Sequence, residues 1–193
     1  MRTRLWRNGV VEKEDFPFED LSDYLEQEDC IVWADLTAPE AEQLDALGEE
    51  LSLDKLAIED AVAHHERPKA SRYATHTFLT SYALKLDRET GELTSLQISA
   101  FVLKNGFVTV HPEGFDVDSM VRTWDENIDL CQFGVKSLAY GLLDLVVDGH
   151  FEAVQALDDE IERTQTRSLA GLHKSSPFFE RNLGIPAGRE TVV

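Results

Sequence analysis

Two strand-forming runs, Phe78-Leu79-Thr80-Ser81-Tyr82-Ala83-Leu84 and Leu96-Gln97-Ile98-Ser99-Ala100-Phe101-Val102-Leu103, constrain this chain more than any other feature. The polar stretch Asp87-Arg88-Glu89-Thr90-Gly91-Glu92 between them has turn composition. Lys104-Asn105-Gly106-Phe107 then leads into Val108-Thr109-Val110-His111, and Asn-Gly between apolar runs signals a hairpin. Three strands in succession predict an antiparallel meander. A fold built only of helices is thereby excluded.

Around the meander the pattern alternates. Strands are predicted over residues 3–7, closed by Asn8-Gly9, and over 30–36, where Ile31, Val32 and Trp33 lead into Asp35. Residues 18–26 fit a short helix. Thr37-Ala38-Pro39-Glu40 has the composition of a helix start, and residues 40–51 continue with Leu44, Leu47 and Leu51 at helical spacing. A further helix spans 54–63. The last long element is a helix over about 135–163, with Leu143, Val147, Phe151, Val154, Leu157 and Ile161 forming one apolar stripe. Asp144, Asp148, Glu152, Asp159 and Glu162 recur on another face of that helix, as a solvated surface does. The expected class is α/β: a layered α/β/α domain with a mixed, largely antiparallel sheet, followed by the long helix. Its parts are an α/β body over residues 1–132, the helix over 133–167, and a loosely ordered tail over 168–193 containing Pro177, Gly184, Pro186 and Gly188.

Charge narrows the functional classes. With 18 basic and 37 acidic residues the formal net charge is -19. Nucleic acid and anionic lipid are therefore poor partners, and cations are the natural counterpart. Cys30 and Cys131 stand apart without C-x-x-C spacing, which fits reduced thiols rather than a disulfide framework or a thiolate metal site. No N-terminal apolar stretch of the secretory kind is present, and no window approaches the roughly 18 to 20 apolar residues of a membrane helix.

Motifs for common enzyme chemistry are missing: no G-x-S-x-G, H-E-x-x-H, G-x-G-x-x-G or Walker-type loop occurs, so no enzyme is expected. His64-His65-Glu66 resembles a ligand cluster only superficially. Adjacent helical histidines point about 100° apart, which fits a surface helix end better than a shared metal.

Trp33-Ala34-Asp35-Leu36, Leu56-Ala57-Ile58-Glu59-Asp60, Glu66-Arg67-Pro68-Lys69 and Tyr73 occur in an order and spacing that closely resemble the soluble domain of CorA-family magnesium and cobalt channels. Residues 142–151 and 157–162 resemble that family's first long helix beyond the sheet. The motif residues also have structural roles to fill: Trp33 and Leu36 in a core, Glu59 or Asp60 as partners of Arg67 or Lys69, and Pro68 as a rigid exit from the helix. After Glu162 the sequence departs from the family pattern, and residues 168–193 match nothing in it.

The resemblance implies a divalent-cation-sensing domain on the cytoplasmic side of the inner membrane, in a homopentameric Mg2+/Co2+ channel whose membrane helices lie outside these residues. It also implies regulatory Mg2+ bound between subunits by an aspartate after a sheet strand and one from a neighbouring stalk. Asp87 matches the first of these positions. Its alternative role is to cap the turn at Glu89 or Thr90. Asp158, Asp159 and Glu162 are further candidate metal carboxylates. Two carboxylates about 4 Å apart repel by roughly 4 kcal/mol at an effective dielectric near 20, and a divalent ion reverses that sign. Occupied sites would hold the domains together and the pore shut. A zinc-transporting relative and a free-standing acidic metal-binding or interaction protein are the competing expectations.

Overall fold

Seven strands form one mixed sheet in the order β2-β1-β3-β7-β6-β5-β4 in the computed structural model, which describes residues 1–63, 66–87, 90–127 and 132–169. The strands are β1 (Arg2–Arg7), β2 (Val10–Glu14), β3 (Cys30–Thr37), β4 (Lys69–Arg72), β5 (Thr77–Leu86), β6 (Leu93–Val102) and β7 (Gly106–His111). The helices are α1 (Leu21–Leu25), α2 (Ala41–Glu50), α3 (Lys55–Val62), α4 (Val117–Glu126) and α5 (Val135–Leu169). β3 and β7 pair in parallel, whereas β1 with β2, β1 with β3, β4 with β5 and β6 with β7 pair antiparallel. The α/β class and the mixed, largely antiparallel sheet expected from the sequence are present.

Local chemistry explains most boundaries. Asn8 and Gly9 both take positive φ, at 51° and 76°, which is the two-residue turn that twists correctly into a hairpin. It joins β1 to β2, an edge strand whose low apolar content does not set it apart from its surroundings in the sequence. Glu40 caps α2 in a reciprocal box with Gln43, and Asp54 caps α3 by accepting the Leu56 N–H at 2.9 Å. Asn105-Gly106 does mark a hairpin, but neither residue has positive φ. Glycine leaves room there for the Leu25 side chain, which a Cβ at residue 106 would displace. α4 is a further element beyond those expected, although Asp116 caps it by accepting the Ser119 N–H at 2.9 Å.

Alternation along the strands sorts two cores. Leu5, Val32, Ala34, Leu36, Val108 and Val110 face one way and pack with Leu21 of α1, Leu44 and Leu47 of α2, and Ala57 and Ile58 of α3. Trp6, Trp33 and Phe107 face the other way and meet Trp124 of α4 edge-on, with ring centroids 6.0, 5.0 and 6.1 Å away. Each such ring pair contributes about 0.5–1.5 kcal/mol beyond its buried area. The Trp124 indole N–H donates to the Leu138 carbonyl at 3.1 Å, tying α4 to the start of α5.

The chain divides into two compact units, one of residues 1–83 with 96–145 and one of 84–95 with 146–193. In the second, a Cβ at Gly149 of α5 would lie 2.8 Å from the Leu84 carbonyl oxygen, so helix and hairpin backbones approach closely. α5 buries Val135, Leu138, Leu142, Val146 and Ala153. The apolar stripe read from the sequence lies on an adjoining face: Leu143, Val147, Phe151, Val154 and Ile161 are 43, 47, 63, 55 and 37% exposed. Helical spacing identifies both faces as apolar but does not say which one this chain covers. The tail over residues 170–193 lies outside the described residues.

Candidate functional site

Asp87 sits where β5 ends, at the tip of the β5–β6 hairpin. Its backbone N–H donates to the Glu92 carbonyl at 2.8 Å, and its own carbonyl accepts the Gly91 N–H at 2.7 Å. The carboxylate Oδ1 accepts the Thr90 N–H at 2.9 Å, while Gly91 supplies the positive φ, 69°, that closes the turn. The turn-capping role is thus filled, and it fixes the direction in which the carboxylate is held. Asp158, Asp159 and Glu162 are exposed on α5, in the same unit as the hairpin. Between them Glu160 accepts from Arg163 at 3.3 Å. Among the described residues no group of three or more His, Cys, Asp or Glu side chains comes together as a metal cage.

The motif residues after α3 build a clamp. Lys69 lies 2.7 Å from Asp60 and 3.1 Å from Glu66, and hydrogen bonds to these two carboxylates, Asp60 first, hold its ammonium pKa above the ordinary lysine value. The Tyr82 hydroxyl donates to the Glu66 carbonyl at 2.6 Å, and Gln97 receives the Glu66 N–H while donating to the Ala63 carbonyl. This fastens the α3–β4 connection to the sheet. Trp33 and Leu36 are buried core residues. His64 and His65 lie outside the described residues.

A third constellation has no local signature in the sequence, because its members are 76 residues apart. Asp35 of β3, with His111 and Thr109 of β7, is buried on the α4 side of the sheet. Parallel register puts Asp35 beside Thr109, and Thr37 beside His111. Thr109 Oγ1 is 2.5 Å from Asp35 Oδ1, and His111 Nε2 is 3.1 and 3.2 Å from the two carboxylate oxygens. Burial by itself lowers the His111 pKa, but the hydrogen bond and charge of Asp35 outweigh it and raise the pKa above its ordinary value. The one signal in the sequence is an acidic residue in an otherwise apolar strand.

A model of the CorA-like Mg2+ transporter family matches residues 28–177, most of the chain; the match runs past Glu162 and into residues 168–177, so the departure from the family pattern begins later than the motifs alone suggest. The chain belongs to this family. A relative is the cobalt/magnesium transport protein CorA of Thermotoga maritima, 26% identical over 162 residues that cover 80% of this chain. The match takes in only 45% of that relative, so the chain spans under half its length. The soluble domain of CorA from Methanocaldococcus jannaschii has the same fold, with a TM-score of 0.61 at 17% identity over 87% of this chain and 64% of the other. Full-length CmaX also matches, with a TM-score of 0.63 at 14% identity over 95% of this chain and 60% of that one. At such identities the two structures agree with this chain in architecture alone. Among the described residues no helix is long and apolar enough to cross a membrane.

Proposed function

We propose that this CorA-like chain is the cytoplasmic, Mg2+-sensing part of a homopentameric divalent-cation transporter, with Asp87 as the carboxylate it contributes to an intersubunit site. The observation that carries the reading is the placement of Asp87, presented at a hairpin tip and oriented by the Thr90 N–H. A single carboxylate per chain fits magnesium well. That ion keeps several waters and takes one or two direct carboxylates, so a second ligand from a neighbouring chain completes a weak, readily emptied site. Bound ion offsets carboxylate repulsion and holds the subunits together with the pore closed. Ion loss lets them separate. Similarity to a cobalt/magnesium transport protein favours Mg2+ or Co2+ as the transported ion.

In this reading residues 1–132 are the sensing body, and the helix beyond them is the arm that connects it to the rest of the transporter. The exposed stripe on α5 supports that role, because Val147, Phe151 and Val154 need cover from a further helix. Asp158, Asp159 and Glu162 contribute negative potential that concentrates cations near the arm.

Calorimetric titration with magnesium tests the assignment, with calcium and cobalt as comparisons and Asp87→Ala as the control. Saturable binding that the substitution removes is the expected result. Binding that survives Asp87→Ala unchanged removes Asp87 from the site.

A further inference from the structure

The donors and acceptors around Asp35 and His111 are assigned from what each polar atom faces. The Trp33 indole N–H can only donate, and Thr109 Oγ1 receives it at 3.0 Å. The Thr109 hydroxyl hydrogen is then free for Asp35 Oδ1 at 2.5 Å. His111 Nδ1 faces the Pro112 carbonyl at 2.9 Å, an acceptor only, so that nitrogen holds a proton. Nε2 faces both carboxylate oxygens. The pair therefore contains one proton more than a neutral imidazole beside a carboxylate, and the arrangement that satisfies every atom is imidazolium on carboxylate.

His111 is also the last residue of β7, where the chain leaves the sheet. Its backbone carbonyl accepts the Ala38 N–H at 2.7 Å, joining the ends of the two parallel strands. Nδ1–H holds the next carbonyl, the Phe115 ring packs against the imidazole with centroids 4.9 Å apart, and Asp116 then caps α4. One protonated ring thus fastens the whole segment from the sheet to α4. We propose that the Asp35–His111 pair is a proton-held latch on this segment, and that losing its proton as pH rises frees the loop and the first turn of α4.

The surrounding charges favour such a device. Glu113, in the loop itself, adds negative charge near the imidazole. Arg2 lies opposite Asp35 in the β1–β3 register, but its guanidinium is 2.7 Å from Asp118 of α4. Arg4 is held by Asp125 of α4, and Arg122 lies near Asp116. The partner that neutralises Asp35 is therefore His111. The sign follows from its raised pKa: the stabilisation is fully present below the ordinary histidine value near 6.5 and is lost as pH rises through the folded-state pKa. One proton limits the effect to about tenfold in the local opening constant per pH unit.

Histidine-ring NMR of the chain between about pH 5 and 10, together with amide-exchange protection factors, tests the latch. His111 should be protonated on both ring nitrogens below roughly pH 6.5 and lose the extra proton only above that value. Protection over residues 113–120 should fall by up to about tenfold per pH unit across that midpoint, while protection in β3 and β7 holds. His111→Gln should abolish this pH dependence. A His111 midpoint at or below roughly 6.5, or a fall in protection that persists in His111→Gln, overturns the proposal. If the variant does not fold, the wild-type titration and its match to the protection change decide alone.

Discussion

Replacing Gly149 by alanine sets two calculable effects of opposite sign against each other. In an isolated helix Gly→Ala stabilises by about 1 kcal/mol, because alanine loses less backbone freedom. Here the added Cβ would sit 2.8 Å from the Leu84 carbonyl oxygen and 3.8 Å from the Leu84 carbonyl carbon and nitrogen. Non-bonded heavy atoms rest at roughly 3.5 to 4.0 Å, so helix or hairpin must retreat by about 0.7 Å or more. Both contacting groups are main chain, and no side-chain rotation relieves them. Overpacking of this kind costs about 1–3 kcal/mol, leaving a net loss of about 1 kcal/mol once propensity is subtracted. Urea denaturation followed by circular dichroism measures it as a lower midpoint at unchanged slope. Amide exchange should show the loss concentrated in residues 84–95. A raised midpoint would mean that propensity wins and that α5 and the hairpin do not approach as closely as described.

Three other substitutions test two separate parts of the structure. Thr109→Val keeps the side-chain shape but removes the donor to buried Asp35 and the acceptor for Trp33; a loss of about 2–3 kcal/mol is expected in chemical denaturation, since a charged group is left short of a hydrogen bond. Adjacent residues on α5 should behave differently: Val146→Ala, at a 5% exposed position, should cost about 2 kcal/mol, and Val147→Ala, at a 47% exposed one, should stay within about 0.5 kcal/mol. Equal losses at the two positions would contradict the two-faced description of the helix.

What is legible in the sequence follows from the range over which each force acts. Turn chemistry is local, so the residue types at Asn8-Gly9 and over 87–92 are enough to mark turns, and the hairpins between runs of strand formers follow. β2 and β4 escape notice because short edge strands with charged side chains lack the apolar alternation that identifies buried ones. The Asp35–His111 pair escapes for a different reason. It exists only through the parallel register of β3 and β7, a pairing across more than seventy residues that no local pattern encodes.

α5 shows where the same logic reaches its limit within a single element. Its apolar residues keep helical spacing over two adjoining faces, and each face on its own has the pattern of a core-facing helix. Val135, Leu138, Leu142 and Val146 are buried, whereas Leu143, Val147, Phe151 and Val154 stay about half exposed. Periodicity reports that a face demands burial and does not name the surface that supplies it. For a CorA-like chain spanning under half of its Thermotoga relative, a second apolar face is what a helix needs if it is to pack on its own domain and still offer a seam to helices beyond it. Asp87 follows the same rule. Its turn-capping bond is made within the chain, whereas the metal role proposed for it draws its second ligand from a neighbouring chain.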